Sequence, residues 1–145
     1  MKMEKPVIVL DDRAKDVGLA VMLSDLIGQN LEQHPEKIKD FNSLNANVAI
    51  EAQDIQILIG LEFKEGKLTI SKNSSFKPDL QIITDSETIL ALCLLKIKFG
   101  LPYFFDANGF KVFKKLLTRE LVIKGLLSHF SALVKLTKLF SVVKN

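Results

Sequence analysis

The sequence predicts an α+β domain in which helices cover a mostly antiparallel sheet. Three observations carry that expectation. Apolar residues recur at helical spacing from about residue 12 to residue 33, the period changes to two between about 46 and 84, and helical patterning returns over about 85–98, 109–118 and 126–143, interrupted by a short strand at about 120–124. At 145 residues the chain fits one domain, 1–145, able to bury roughly two thirds of its unfolded surface.

In chain order, Asp11 or Asp12 is placed to cap the first helix, which runs to about Gln33 with Val17, Ala20, Leu23, Ile27 and Leu31 on its core face. His34-Pro35 ends it, because proline disfavours helix at the residue before it. Pro35 to about Phe41 continues as a turn of helix. Val48, Ile50 and Ala52 then alternate with polar or small neighbours, as do Ile55, Ile57, Ile59, Leu61 and Phe63, predicting two half-buried strands joined at Gln53-Asp54. Glu65-Gly66 makes a hairpin turn into Leu68-Thr69-Ile70, Asn73-Ser74-Ser75 is a loop, and Pro78 opens a strand carrying Leu80, Ile82 and Ile83. Four strands in succession predict a meander, hence antiparallel pairing.

Thr84-Asp85-Ser86-Glu87 reads as a capping box, with Thr84 accepting from the backbone and Glu87 reaching back. The helix it starts, to about Lys98, is apolar on nearly every side and belongs in a core; Gly100 and Pro102 end it. A bend through Tyr103-Phe104-Phe105 and Asp106 to Gly109 leads to a short amphipathic helix with Phe110, Phe113, Leu116 and Leu117 opposite Lys111, Lys114 and Lys115. Leu121 to Lys124 is a strand, Gly125 a hinge, and one helix follows to Val143. Its polar residues Ser128, Ser131, Lys135 and Lys138 share one strip, whereas Leu126, Leu127, Phe130, Leu133, Val134, Leu136, Phe140 and Val143 cover more than about half of the circumference. A helix resting on one sheet needs a narrower stripe. The surplus must meet a second protein layer, a partner chain, a membrane or an apolar ligand.

Composition narrows the choice. The chain is 48% hydrophobic, with mean hydropathy +0.21, ten Phe and no Trp, which suits a dry interior. Charges interrupt every apolar run before the 18 or so residues of a membrane span. The apolar stretch before Asp11-Asp12-Arg13 is too short for a signal-peptide core, so a cytoplasmic location is expected. The lone Cys93 cannot close an internal disulfide and lies in an apolar run, as a buried small hydrophobe would. Net charge is +3, yet from residue 101 onward eight Lys and Arg face only Asp106 and Glu120. Scattered solvating lysines account for such a balance, an anionic lipid surface is the sharper alternative, and no nucleic-acid partner is expected.

Catalytic patterns are absent. The chain has no phosphate-cradling glycine loop, zinc pattern, iron–sulfur spacing or nucleophile elbow. His34 and His129 fall at helix ends as surface or capping residues, and Asp11-Asp12 is better placed to cap than to act as an acid/base pair. No catalytic residue, metal ligand or cofactor is assigned, and the protein is not expected to be an enzyme.

Four stretches carry a resemblance: Phe41-Asn42-Ser43-Leu44 leading into Val48-Ala49-Ile50; Leu61-Glu62-Phe63-Lys64-Glu65-Gly66-Lys67-Leu68; Pro78-Asp79-Leu80-Gln81-Ile82; and Arg119-Glu120-Leu121-Val122-Ile123-Lys124-Gly125-Leu126-Leu127. With the order of elements from 17 to 143 they resemble the sterol carrier protein 2 family of lipid-binding domains. The resemblance implies an about five-stranded, mostly antiparallel sheet with helices on one side and a long apolar cavity between them. It also implies a ligand among fatty acids, acyl-CoAs, sterols, phospholipids and isoprenoid quinones. The segment Phe99 to Thr118 is longer than the usual connection, and Arg119-Glu120-Leu121 replaces the small Gly-Lys-Leu entry to the last strand.

The expected function is therefore non-catalytic binding or transfer of one lipid in an internal cavity. The residues expected to line it are Leu90, Leu94, Phe99, Phe104, Phe105, Phe110, Phe113, Leu117, Phe130, Leu133 and Phe140, with Lys114 and Lys115 for a head group or membrane contact. Two other readings stand beside it. One is an interaction or homodimerisation module docking through its apolar C-terminal helix. The other is a peripheral protein holding lysines such as Lys111, Lys135 and Lys138 against anionic lipid, in transient contact with a membrane surface.

Overall fold

A computed structural model describes residues 6–73, 76–99 and 101–141. Its centre is a sheet of six strands: β1 (Val7–Leu10), β2 (Ala46–Ala52), β3 (Ile57–Lys64), β4 (Lys67–Lys72), β5 (Leu80–Thr84) and a last strand Val122–Lys124. The helices are α1 (Gly18–Gln33), α2 (Lys37–Ser43), α3 (Ser86–Cys93), α4 (Ala107–Leu117) and α5 (Phe130–Phe140), preceded by a 3-10 turn at Ala14–Asp16. A small separate hairpin, β6 (Ile97–Lys98) with β7 (Leu101–Pro102), follows α3, so the last strand is β8.

The strand order is β1-β4-β3-β2-β5-β8. Only β2, β3 and β4 form the expected meander. After β4 the chain crosses to the far side of β2, where β5 pairs in parallel, and β1 pairs in parallel with β4, so the sheet is mixed and six-stranded rather than five-stranded and mostly antiparallel. Two features of the sequence hid this. Val7-Ile8-Val9-Leu10 is too short an apolar run to show a period, and a loop of given length does not state which neighbour the next strand will take.

Register places the core on one face. Ile8 lies beside Leu68, Phe63 beside Leu68, Leu61 beside Val48 and Ile70, Ile50 between Ile59 and Ile82, and Ile82 beside Ile123. This face carries the buried cluster with Leu23 and Ile27 of α1, Phe41 of α2 and Leu139 of α5. The other face presents Asn47, Glu51, Glu62, Lys64, Lys67 and Lys124, half-buried or exposed. An antiparallel-type alternation with one wet face results, as period-two patterning requires.

Local chemistry explains most boundaries. Asp11 accepts from the Ala14 N–H at 2.8 Å and closes the 3-10 turn, so the first helix begins at Gly18 rather than at 12. All five residues assigned to its core face are buried. Ile55 lies in the turn before β3 and is exposed, so that strand starts two residues later than expected. Glu65 and Gly66 take positive φ of 50° and 76°, the twist a two-residue hairpin needs.

The cap of α3 is shifted by one residue from the expected box. Asp85, not Thr84, accepts from the Thr88 N–H at 2.7 Å; Thr84 belongs to β5 and its buried hydroxyl donates to the Glu120 carbonyl at 3.0 Å, while Glu87 pairs with Lys111 at 2.9 Å. The helix stops at Cys93 instead of about 98, and Leu95 turns into the core. Helix α4 starts two residues early, at Ala107, because Asp106 accepts from the Gly109 N–H at 2.7 Å. Residues 125–129 are turns, so α5 is shorter at its start than the expected 126–143; Val143 lies outside the described residues.

Candidate functional site

Between the β5–β8 end of the sheet and helices α3, α4 and α5 lies an apolar recess of about 310 Å3. Ile82 and Ile123 supply its sheet side, Leu92 and Leu95 the end of α3, and Leu101 and Pro102 the root of the small hairpin. Phe104, Val112, Phe113 and Leu116 form the α4 wall, while Phe130, Leu133, Val134, Leu136, Thr137 and Phe140 form the α5 wall; Leu121 and Leu126 close the β8 side. Thr137 is the one polar side chain among them, and its hydroxyl donates to the Leu133 carbonyl of its own helix at 2.8 Å. The lining thus offers a guest hydrocarbon surface and no free side-chain donor.

Two glycines set the walls. A Cβ on Gly109 would lie 2.2 Å from the Tyr103 carbonyl oxygen and 2.7 Å from the Phe104 Cα, so only glycine lets the first turn of α4 press against the segment that turns Phe104 inward. Phe104 then packs on Phe113 with ring centroids 5.7 Å apart. Gly125 has φ +87°, and a Cβ there would lie 2.1 Å from the Asp79 carbonyl oxygen, so the chain can leave β8 and turn toward α5 only through a glycine. Asp79 is itself held by Asn47: their backbones exchange a 2.7 Å bond, and the Asn47 N–H donates to the Asp79 carboxylate at 2.8 Å.

Of the eleven side chains expected to line a cavity, Phe104, Phe113, Phe130, Leu133 and Phe140 meet at this recess. Leu90, Leu94, Phe99, Phe105, Phe110 and Leu117 do not; all six are exposed. Phe99 and Phe105 lie outside the helices, in the turn after β6 and in the bend before α4. On α4 the inward stripe is the buried Gly109 and Val112 with the half-buried Leu116, spaced three and four apart, and it lies beside rather than under the larger Phe110 and Leu117. On α3 the inward residues are Ile89, Leu92 and, past the helix end, Leu95, which leaves Leu90 and Leu94 outside. Spacing alone points to Val112 and Leu116, whereas nothing in the sequence announces Leu101 and Pro102, which enter through a hairpin read as helix end.

Neither Lys114 nor Lys115 lines the recess. Lys115 is tied to the Glu120 carboxylate, a hydrogen bond that holds its ammonium above the ordinary lysine value. Lys114 is exposed. Cys93 is buried in the core, and burial pushes its thiol up to about 12. Among the described residues no group of three or more His, Cys, Asp or Glu stands close enough to hold a metal ion, and no helix is long and apolar enough to cross a membrane.

No protein-family model matches the sequence, and no curated protein matches it. Solved structures do match in shape. One described as "UbiJ-SCP2 Ubiquinone synthesis protein" is 16% identical, with a TM-score of 0.59 over 88% of this chain and 98% of its own. A crystal structure of sterol carrier protein 2 is 12% identical, with a TM-score of 0.50 over 85% of this chain and 96% of its own. At such low identity the likeness speaks for architecture: this chain shares the fold of these sterol-carrier-protein-2-like structures.

Proposed function

We propose that the protein binds one lipid, non-catalytically, by taking its hydrocarbon chain into the recess between α3, α4, α5 and the β5–β8 edge. The observation that carries this reading is the lining itself, continuous apolar side chains with the single hydroxyl already bonded to its own helix. Binding sites for small molecules are concave and mostly apolar, and about 300 Å3 lies at the lower end of their range. A single hydrocarbon chain is a guest of suitable chemistry for such a lining. Each buried methylene contributes about 0.8 kcal/mol, so ten would supply about 8 kcal/mol before the costs of association.

A carbonyl or phosphate inside the recess would meet no side-chain donor and would lose its water, so the polar head group stays at the mouth. This supports fatty acids and isoprenoid quinones, whose polar end is terminal. The shared fold with a structure described as a ubiquinone synthesis protein makes a ubiquinone tail the first probe to try. The test is titration with a fluorescent long-chain fatty acid, with competition by ubiquinone analogues of increasing tail length. Affinity is expected to rise with each added carbon until the recess is full. Affinity that ignores chain length would remove the recess from the mechanism.

A second reading, docking of a partner or second copy through the start of the last helix, draws on Leu127 and Phe130, both exposed. Sedimentation over a range of protein concentrations separates it from the first: a concentration-dependent dimer that takes up no lipid would favour it.

A further inference from the structure

Around the mouth of the recess the chain turns apolar side chains outward. The extreme case is Phe99, at the tip between β6 and β7, fully exposed at 102% and with φ +54°. Hydration disfavours phenylalanine there, and so does the left-handed backbone, which Asn or Gly would adopt more readily. An exposed residue held against both preferences points to a function.

The rim is continuous with the hairpin. The Lys98 ammonium lies 4.1 Å over the Tyr103 ring, and that ring is 5.6 Å from the exposed Phe105. On α4, Phe110, Phe113 and Leu117 share one stripe with Lys114 at its edge, and Phe113 reaches the recess that Leu101 of the hairpin and Phe130 of α5 also line. Of the lysines on α4 and in the segment before the hairpin, Lys96 pairs with Asp106 at 3.9 Å, Lys111 with Glu87 at 2.9 Å and Lys115 with Glu120. Lys98 and Lys114 have no carboxylate partner among the described residues.

We propose that this rim is a docking surface for an anionic lipid bilayer, with Phe99 as the leading side chain. A bilayer places negative charge outermost and hydrocarbon several Å deeper, and the rim offers a partner for each: the Lys98 and Lys114 ammonium groups, which have no carboxylate partner among the described residues, and the exposed phenylalanines. The surface goes beyond the lipid-binding reading and does not depend on the recess being filled.

The experiment is cosedimentation of the protein with phosphatidylcholine vesicles, with and without phosphatidylglycerol, at low and at physiological salt. Wild type should bind the anionic vesicles and weaken with salt. Phe99→Asn suits the left-handed turn, so the variant should melt at or above the wild-type temperature while binding vesicles roughly tenfold or more weakly. Lys114→Glu should reduce binding only where phosphatidylglycerol is present. Wild type that binds neither vesicle, binding indifferent to phosphatidylglycerol, or a Phe99→Asn variant that binds as wild type would each overturn the proposal. A concentration-dependent dimer in which Phe99 becomes protected from solvent would overturn it in favour of a protein partner. Loss of fatty-acid uptake with vesicle binding intact would instead count against the recess alone.

Discussion

The side-chain amide of Asn30, buried in α1, donates to the Leu139 carbonyl near the end of α5 at 2.7 Å. Two further bonds secure the same end. The Lys37 ammonium donates to the Ser141 carbonyl at 2.8 Å, and the Ser141 hydroxyl donates to the Leu95 carbonyl. Together they satisfy carbonyls that a helix terminus leaves without partners, with a cation placed where the helix dipole favours one. The last helix is thus fixed at its C-terminal end to α1, α2 and the end of α3, while its first turn, at Phe130, stands at the recess mouth. Asn30→Leu should cost about 1–3 kcal/mol, because it strands a buried carbonyl. Urea denaturation checks this; an unchanged midpoint would mean that α5 is held by packing alone.

Glycine substitutions should separate sharply by position. Gly125→Ala forces a Cβ against the Asp79 carbonyl at a positive φ, and Gly109→Ala forces one against the Tyr103 carbonyl. Each should destabilise by about 1–3 kcal/mol or more. Gly18→Ala, at the start of α1 with nothing within 4 Å, should be neutral or stabilise by up to about 1 kcal/mol. Thermal melts of the three variants test the ranking.

Filling the recess should block uptake without unfolding the chain. Leu133 is half-buried on its α5 wall, so Leu133→Trp is expected to occupy the space while the fold tolerates the change. Leu90→Ala, outside the recess and exposed, should leave uptake unchanged. A Leu133→Trp protein that binds fatty acid as wild type does would place the ligand elsewhere.

The thiol of Cys93 should be inert in the native state. Burial pushes it up to about 12, so almost none is thiolate at pH 8. A thiol-specific disulfide reagent should react at that pH only after denaturant is added, and prompt native-state reaction would contradict the packing of α3.

Asp85 gives a pH signature. Its hydrogen bonds with Thr88 hold the carboxyl below the usual carboxylate range. A group whose folded-state pKa is depressed contributes stability above the unfolded value, near 3.9, and loses it as pH falls through the depressed one. Asp85→Ala should therefore cost about 1 kcal/mol at neutral pH. The gap from wild type should narrow as pH falls through that depressed value. A gap that persists into acid would mean that Asp85 acts through packing rather than charge.

Periodicity made the sheet centre and α1 legible: Val48, Ile50, Leu61 and Ile70 are buried where the two-residue period puts them. What it could not convey was pairing. Nothing local tells Leu80 to lie beside Val48 in parallel, since the pairing is between strands far apart in the chain. The apolar surplus of the last helix was also legible, and the recess absorbs part of it through Leu133, Val134 and Phe140. Large aromatic side chains usually belong in the interior, yet Phe99, Phe105 and Phe110 are exposed. Phe99 lies in the turn between β6 and β7 and Phe105 in the bend before α4, outside any helix, while Phe110 lies off the face of α4 that Gly109 and Val112 bury.

The most direct measurement is native mass spectrometry of freshly purified protein, followed by solvent extraction of whatever travels with it. The account predicts a one-to-one complex with a lipid bearing a long unbranched or isoprenoid chain, strongly reduced in the Leu133→Trp variant. Wild type that is free of lipid and also takes up neither a fluorescent fatty acid nor a ubiquinone analogue would contradict it.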